Sequence, residues 1–274
     1  MSVARQLENL KDSLARTERM PLVFLGHGSP MNAIEDTAYS RAWAELGHSL
    51  PRPRAILVVS AHWMTRETTL VDVSAVPRTI HDFYGFPEPL YQERYPAPGA
   101  PDLAREVTTL LASHHAQEDD TWGLDHGAWA VLKFLYPEAD VPVFQVSIDM
   151  GRDLDYQLSV GRALSGLRDR GVLVLGSGNV VHNLRAMRPR AAPLDFALEF
   201  DALFADRLTD RDFASLSNRE KLGTLLTTAH PTVDHYLPAL TIAGASGAKD
   251  DLTFMTDAID LGSVSMRSFV FHAA

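Results

Sequence analysis

The sequence predicts a single α/β domain with a mostly parallel central sheet flanked by helices. Three observations predict it. LVFLG (22–26), AILVVSAHW (55–63), VFQVSI (143–148) and VLVLGSG (172–178) are short and almost wholly apolar, as strands covered on both faces must be. Segments of helical periodicity lie between them, which is the βα alternation of a parallel sheet. No internal repeat, low-complexity tract or linker-like shift in composition interrupts the chain, so residues 1–274 read as one domain with its core over 20–274.

Taken in order, Val3, Leu7, Leu10 and Leu14 recur at helical spacing and predict an amphipathic helix over 3–16. The strand 22–26 comes next, then a helix over 38–49 and the strand within 55–63. TTLVDV (68–73) is a further strand candidate. Residues 74–100 carry many Pro, Gly and aromatic residues and read as a long ordered loop, which in a compact domain is usually functional. Helices are expected over 101–115, about 153–169, much of 193–226, and 236–245. VSMRSFVF (264–271) alternates like an edge or final strand.

Composition excludes several classes of function. Hydrophobic residues make up 46% of the chain and charged residues 22%, enough apolar content for a sizeable core. The net charge of −10 and the lack of a basic patch argue against nucleic acid as a partner. There is no cysteine, so thiol nucleophiles, disulfides and iron–sulfur clusters are excluded together. Any bound metal must take His, Asp or Glu. No run of about 18 apolar residues predicts a membrane span, and the polar N-terminus does not resemble a secretion signal, so a cytoplasmic address is expected. Oligomeric state is left open.

The histidines are informative by position. LVFLG runs into His27, AILVVS into His62, and VLVLGSG through Asn179 to His182. Ligands of an open parallel sheet bind outside the carboxyl ends of its strands, so three strands deliver an imidazole to one rim. His235 lies just before a helix marked by Pro238. Neutral imidazoles in a cysteine-free site suit zinc, iron or copper better than magnesium or calcium. A lone His after a strand is more often a hydrogen-bonded, half-buried residue than a ligand, and the spacing is no local signature such as HExxH; the number of such positions carries the metal reading. His48, His114, His115 and His272 read as solvated, and His230, ahead of Pro231, as structural.

GHGSP (26–30), SAHW (60–63), HDFYGFP (81–87), GLDHGAW (123–129), GSGNVVHNL (176–184) and DHYLPAL (234–240) together resemble the DODA-type extradiol ring-cleaving dioxygenases of the class III, LigB-like superfamily. The resemblance spans roughly residues 20–245. It implies one α/β domain, a mononuclear non-haem metal, and cleavage of a catechol by dioxygen to a muconic semialdehyde. Fe(II) is the metal it implies for catalysis; Zn(II) is often found in isolated members. By motif, His27, His62 and His235 look like metal ligands. His182 looks like a fourth site histidine, as ligand or as acid–base, and His126 like a proton donor to bound oxygen. Better-known members of the wider superfamily use two His and one Glu; His235 stands here at the third place.

In the long loop, His81, Asp82, Phe83, Tyr84 and Phe86 are candidates to line a pocket for an aromatic ring. His81, Asp82, Tyr84 and Ser29 are the expected substrate contacts. Packing is the alternative, above all for Phe83 and Phe86. Ser29 and Asn179 are expected to donate hydrogen bonds around the ligands, Trp63 and Trp129 to pack, and Asp234 to be able to orient His235. Two rivals stay open. A zinc hydrolase would need Asp82, Asp125 or Asp234 as general base, and a non-catalytic protein similar to the Memo proteins would keep only the histidine-lined pocket.

Overall fold

The structure, a computed structural model, describes residues 19–190 and 192–274. The helix expected over 3–16 lies outside the described residues. Six strands form the central sheet: β1 (Leu22–Gly26), β2 (Ala55–Ser60), β3 (Val143–Gln145), β4 (Val172–Gly178), β5 (Asp250–Thr256) and β6 (Ser268–Ala273). Their spatial order is β3-β2-β4-β1-β6-β5. The first four run parallel; β6 pairs antiparallel with β1, and β5 antiparallel with β6. Every residue of β1, β2, β3 and β4 is buried, as their apolar runs require.

Helices cover both faces. Those used below are α1 (Ala38–Ser49), α2 (Pro101–Leu110), α3 (His126–Leu135), α4 (Leu154–Leu164), α5 (Asp195–Thr209), α6 (Arg219–Ala229) and α7 (Leu237–Ala245). One apolar cluster joins Leu57, Phe144, Leu158, Leu240 and Phe269 beneath α4 and α7. The other joins Val23, Val58, Trp43, Trp129 and Leu175 beneath α1 and α3. Helix α7 is buried all round, consistent with its uniformly apolar sequence.

Several elements differ from expectation. VFQVSI is two strands, because Ile148–Asp149 leaves the sheet to pair with Met64–Thr65. Thr69–Asp72 pairs with Ala116–Asp119, away from the central sheet. VSMRSFVF divides into Val264–Ser265 and β6, and β6 is interior, not an edge. The edge on that side is β5, whose sequence DDLTFMT, opening on two aspartates, lacks the alternation that would announce a strand. His272, expected at the surface, is buried on β6 at 4% exposure.

Register places the site. Gly26 pairs with Gly178 and Ser60 with Ser177, so β1, β2 and β4 end flush. The His27 N–H donates to the Gly178 carbonyl (3.0 Å) and the Ala61 N–H to the Ser177 carbonyl (2.9 Å), carrying the pairing to the rim. The Asn179 N–H donates to the His235 carbonyl (2.9 Å). That approach requires glycine at 178: a β-carbon there would lie 2.2 Å from the His235 carbonyl oxygen.

Candidate metal centre

His27, His62 and His235 come together at this rim, their candidate ligand nitrogens all within 4.8 Å of one another. The Nε2 atoms of His27 and His62 are 3.2 Å apart. What the rings' other nitrogens touch decides their tautomers. Ser177 Oγ donates its one proton to the Gly127 carbonyl (2.5 Å), so it accepts from His27 Nδ1–H (2.9 Å). His62 Nδ1 lies 3.2 Å from Asp82 Oδ2, where only a protonated nitrogen is favourable. His235 Nδ1 is held by the Asp234 carboxylate. All three rings thus present Nε2 lone pairs to one point, two of them facing each other at a separation that is unfavourable without a cation. Two nitrogens sharing a tetrahedral ion at about 2.1 Å would stand about 3.4 Å apart, so the donor set fits a transition metal.

The electrostatics agree. Burial, then the neighbouring imidazoles, lowers His27 and His235 well below the ordinary histidine value. Burial and the nearby His126 bring His62 down to about 3, against the pull of Asp82. Burial takes His182 to about 4, although Asp234 acts in the other direction. Neutral imidazoles are the form that binds metal. Burial alone would raise Asp82, but the hydrogen bond from His126 and the charges of His126 and His62 more than offset this and hold it at about 2.

These shifts predict a pH response of the metal-free protein. Unfolded, the histidines bind protons below about pH 6.5, whereas in the fold His62, His182 and His230 wait until about 3 to 4. Between those limits the unfolded chain holds more protons, so stability is full above pH 6.5 and falls as pH drops. The slope is up to about 1.4 kcal/mol per pH unit for each such group. The metal-free protein should melt at a clearly lower temperature at pH 5 than at pH 7.5; equal melting temperatures would contradict the buried, neutral cluster.

The contacts that support the rings reach far in sequence. Asp82 receives the His126 backbone N–H at Oδ1 (2.8 Å) and His126 Nδ1 at Oδ2 (3.0 Å), so one carboxylate holds both His126 and His62. His126 is the first residue of α3, whose N-cap, Asp125, is fully buried. Asp125 accepts from Ser60 Oγ (2.6 Å), Trp122 Nε1 (3.2 Å), Gln145 Nε2 (3.1 Å) and the Ala128 N–H (3.2 Å). Its burial and the charge of Asp82 raise its pKa. His182 lies flat on His235, ring centroids 3.5 Å apart and planes 9° from parallel. It groups with Asp234 and His235, but not with His27 and His62.

A cavity of about 550 Å³ opens over the cluster. His27, His62, His126, His182 and His235 face it, as does Ser29, while Phe86, Leu184, Met187, Leu261, Val264 and Met266 give it an apolar wall. Three of the four expected substrate contacts lie elsewhere. Tyr84 is 91% exposed and does not line the cavity. His81 is turned into its own loop, with Nε2 3.1 Å from the Glu93 carbonyl. Asp82 lies behind the imidazoles and is not among the lining residues. Asn179 Nδ2 donates to the Ser265 carbonyl (2.8 Å), away from the ligand rings, and Ser29 Oγ accepts from the Met31 N–H (3.3 Å) at the cavity wall. Trp63 and Trp129 are packed, and His230 Nε2 donates to the Val180 carbonyl (2.7 Å) in a buried structural role. Sequence reasoning missed Ser177, whose only local signal is a polar residue inside an apolar strand. It also missed the wall formed by Leu261, Val264 and Met266, the last two read only as part of a strand over 264–271.

Residues 21–265 match the family described as the catalytic LigB subunit of aromatic ring-opening dioxygenase. The 4,5-DOPA dioxygenase extradiol of Escherichia coli K12 is 44% identical over 94% of this chain and 97% of its own length. That of Beta vulgaris is 38% identical over 90% and 95%. A crystal structure of an uncharacterised E. coli K12 protein superposes with a TM-score of 0.79 at 40% identity, covering 92% of this chain and 99% of that one. An α/β sheet with a histidine cluster at its rim, carried by a chain matched over nearly its whole length, belongs to the LigB family, and this protein is one of its extradiol dioxygenases.

Proposed function

We propose that the protein cleaves a DOPA-like catechol beside its two hydroxyls with dioxygen, yielding a muconic semialdehyde. His27, His62 and His235 hold the metal. The observation that carries this reading is the convergence of three neutral Nε2 donors at the floor of an apolar, ring-sized cavity. A ferrous ion held by these residues would supply the Lewis acidity and redox chemistry of the reaction, whereas zinc would fit the same donors without redox chemistry.

The remaining work falls to side chains facing the cavity. His182, neutral at physiological pH, takes a catechol proton at a ring nitrogen, beside the carboxylate of Asp234. His126, held through Nδ1 by Asp82, presents Nε2 to the cavity as the atom that delivers a proton to the reacting oxygen. A proton at that atom is balanced by the Asp82 charge across the ring. The apolar wall excludes water and packs the aromatic ring. The hydrolase alternative is less well served: Asp82 is engaged with His126, Asp125 with an N-cap network, and Asp234 through one oxygen with His235.

The test is to load metal-free protein anaerobically with ferrous iron, add L-DOPA, and then admit oxygen. Oxygen uptake with a yellow product is expected, and a zinc-loaded sample should stay inactive. No oxygen uptake with any catechol would reject the reading.

A further inference from the structure

We propose that Asp260 is a specificity-determining residue that selects catechols whose tail carries an ammonium, as that of DOPA does, and disfavours those whose tail carries a carboxylate alone; this rests on the ring-cleaving function above. Among the described residues no lysine or arginine lines the cavity. Its acidic side chains are Asp234 and Asp260. Asp234 is committed to His235 Nδ1. Asp260 has no such role.

Asp260 sits in the short strand Ile259–Asp260, paired with Val264–Ser265, and the turn between them passes through Leu261 in the left-handed region (φ 52°). That turn supplies apolar wall on the same side of the chain: Leu261, Val264 and Met266 line the cavity with Asp260. The Tyr39 hydroxyl donates to Asp260 Oδ1 (2.6 Å) and steadies the carboxylate. Burial and this bond raise the Tyr39 phenol, so it stays a donor. No cationic side chain lies within ion-pair distance of Asp260 among the described residues. A fixed negative charge without a protein counter-charge therefore faces a largely apolar chamber.

The catechol oxygens are directed to the imidazole cluster, so the ring's tail is what remains to meet the wall. An ammonium there gains a charge-assisted contact with Asp260. A carboxylate without an ammonium on the same tail would leave water for a chamber that offers it no cation and sets a like charge beside it, a penalty with nothing to offset it.

Three catechols with the same ring and different tails test this: dopamine, 4-ethylcatechol and 3,4-dihydroxyphenylacetate. On the iron-loaded enzyme, kcat/KM should fall in that order, with dopamine ahead of the acid by roughly tenfold or more, the scale of one charged contact. Anaerobic calorimetric titration of the same iron-loaded protein should give dissociation constants in the same order. Asp260→Asn should cut the dopamine to 4-ethylcatechol ratio roughly tenfold. Asp257→Asn, at an exposed carboxylate nearby, should leave that ratio in place. If the acid binds as well as dopamine, or if Asp260→Asn leaves the ratio unchanged, the assignment is overturned. If all three bind in the expected order but none consumes oxygen, the selection stands and the ring-cleaving reading falls instead.

Discussion

His62→Ala is expected to strip the protein of tightly held metal. It removes one of three converging donors and leaves His27 Nε2 without the partner that stands 3.2 Å away. The loss in affinity should exceed the roughly 10–100-fold that comes from removing an outer partner of a ligand. Asp82→Asn provides that smaller step, because it weakens the hold on Nδ1 of His62 and leaves the ring in place. Metal content after dialysis, with competition against a chelator of known affinity, reads both variants on one scale. Full metal retention by His62→Ala would refute the ligand assignment.

His182→Ala should behave in the opposite way, keeping its metal and losing turnover by roughly 10²–10⁴-fold, the range of a positioned acid–base group. The reason is geometric. His182 stacks face to face on His235 and falls outside the group formed by His27, His62 and His235. Metal content and oxygen uptake with L-DOPA, measured on one preparation, separate the two roles. If metal disappears together with activity, His182 is a fourth ligand. If both survive, it is neither.

Much of the site is legible in the sequence because parallel strands advertise themselves. A buried strand such as LVFLG or VLVLGSG reads as an unbroken apolar run, and the residue after it must stand at the sheet's carboxyl rim. His27, His62 and His182 can be placed together on that ground. The rest depends on contacts between residues far apart in sequence, which leave no local periodicity. Ser177 reaches His27 across 150 positions and Asp82 reaches His126 across 44. Asp82 reads as a pocket residue because its loop is aromatic, yet its carboxylate turns inward to the imidazoles. Tyr84 shows the reverse: an aromatic in a promising motif that points to solvent. The edge strand β5 escapes sequence reading because its burial does not alternate: it opens on two aspartates, one buried in an ion pair with Arg168 and one exposed.

The Asp82 carboxylate bears on how the centre comes into being. It belongs to the 74–100 segment, yet it holds His62 of the converging cluster and His126 beside it at once. Without that segment neither ring has this carboxylate partner; with it, both do. A single substitution at Asp82 is therefore expected to disturb two imidazoles at once, one in the converging cluster and one beside it.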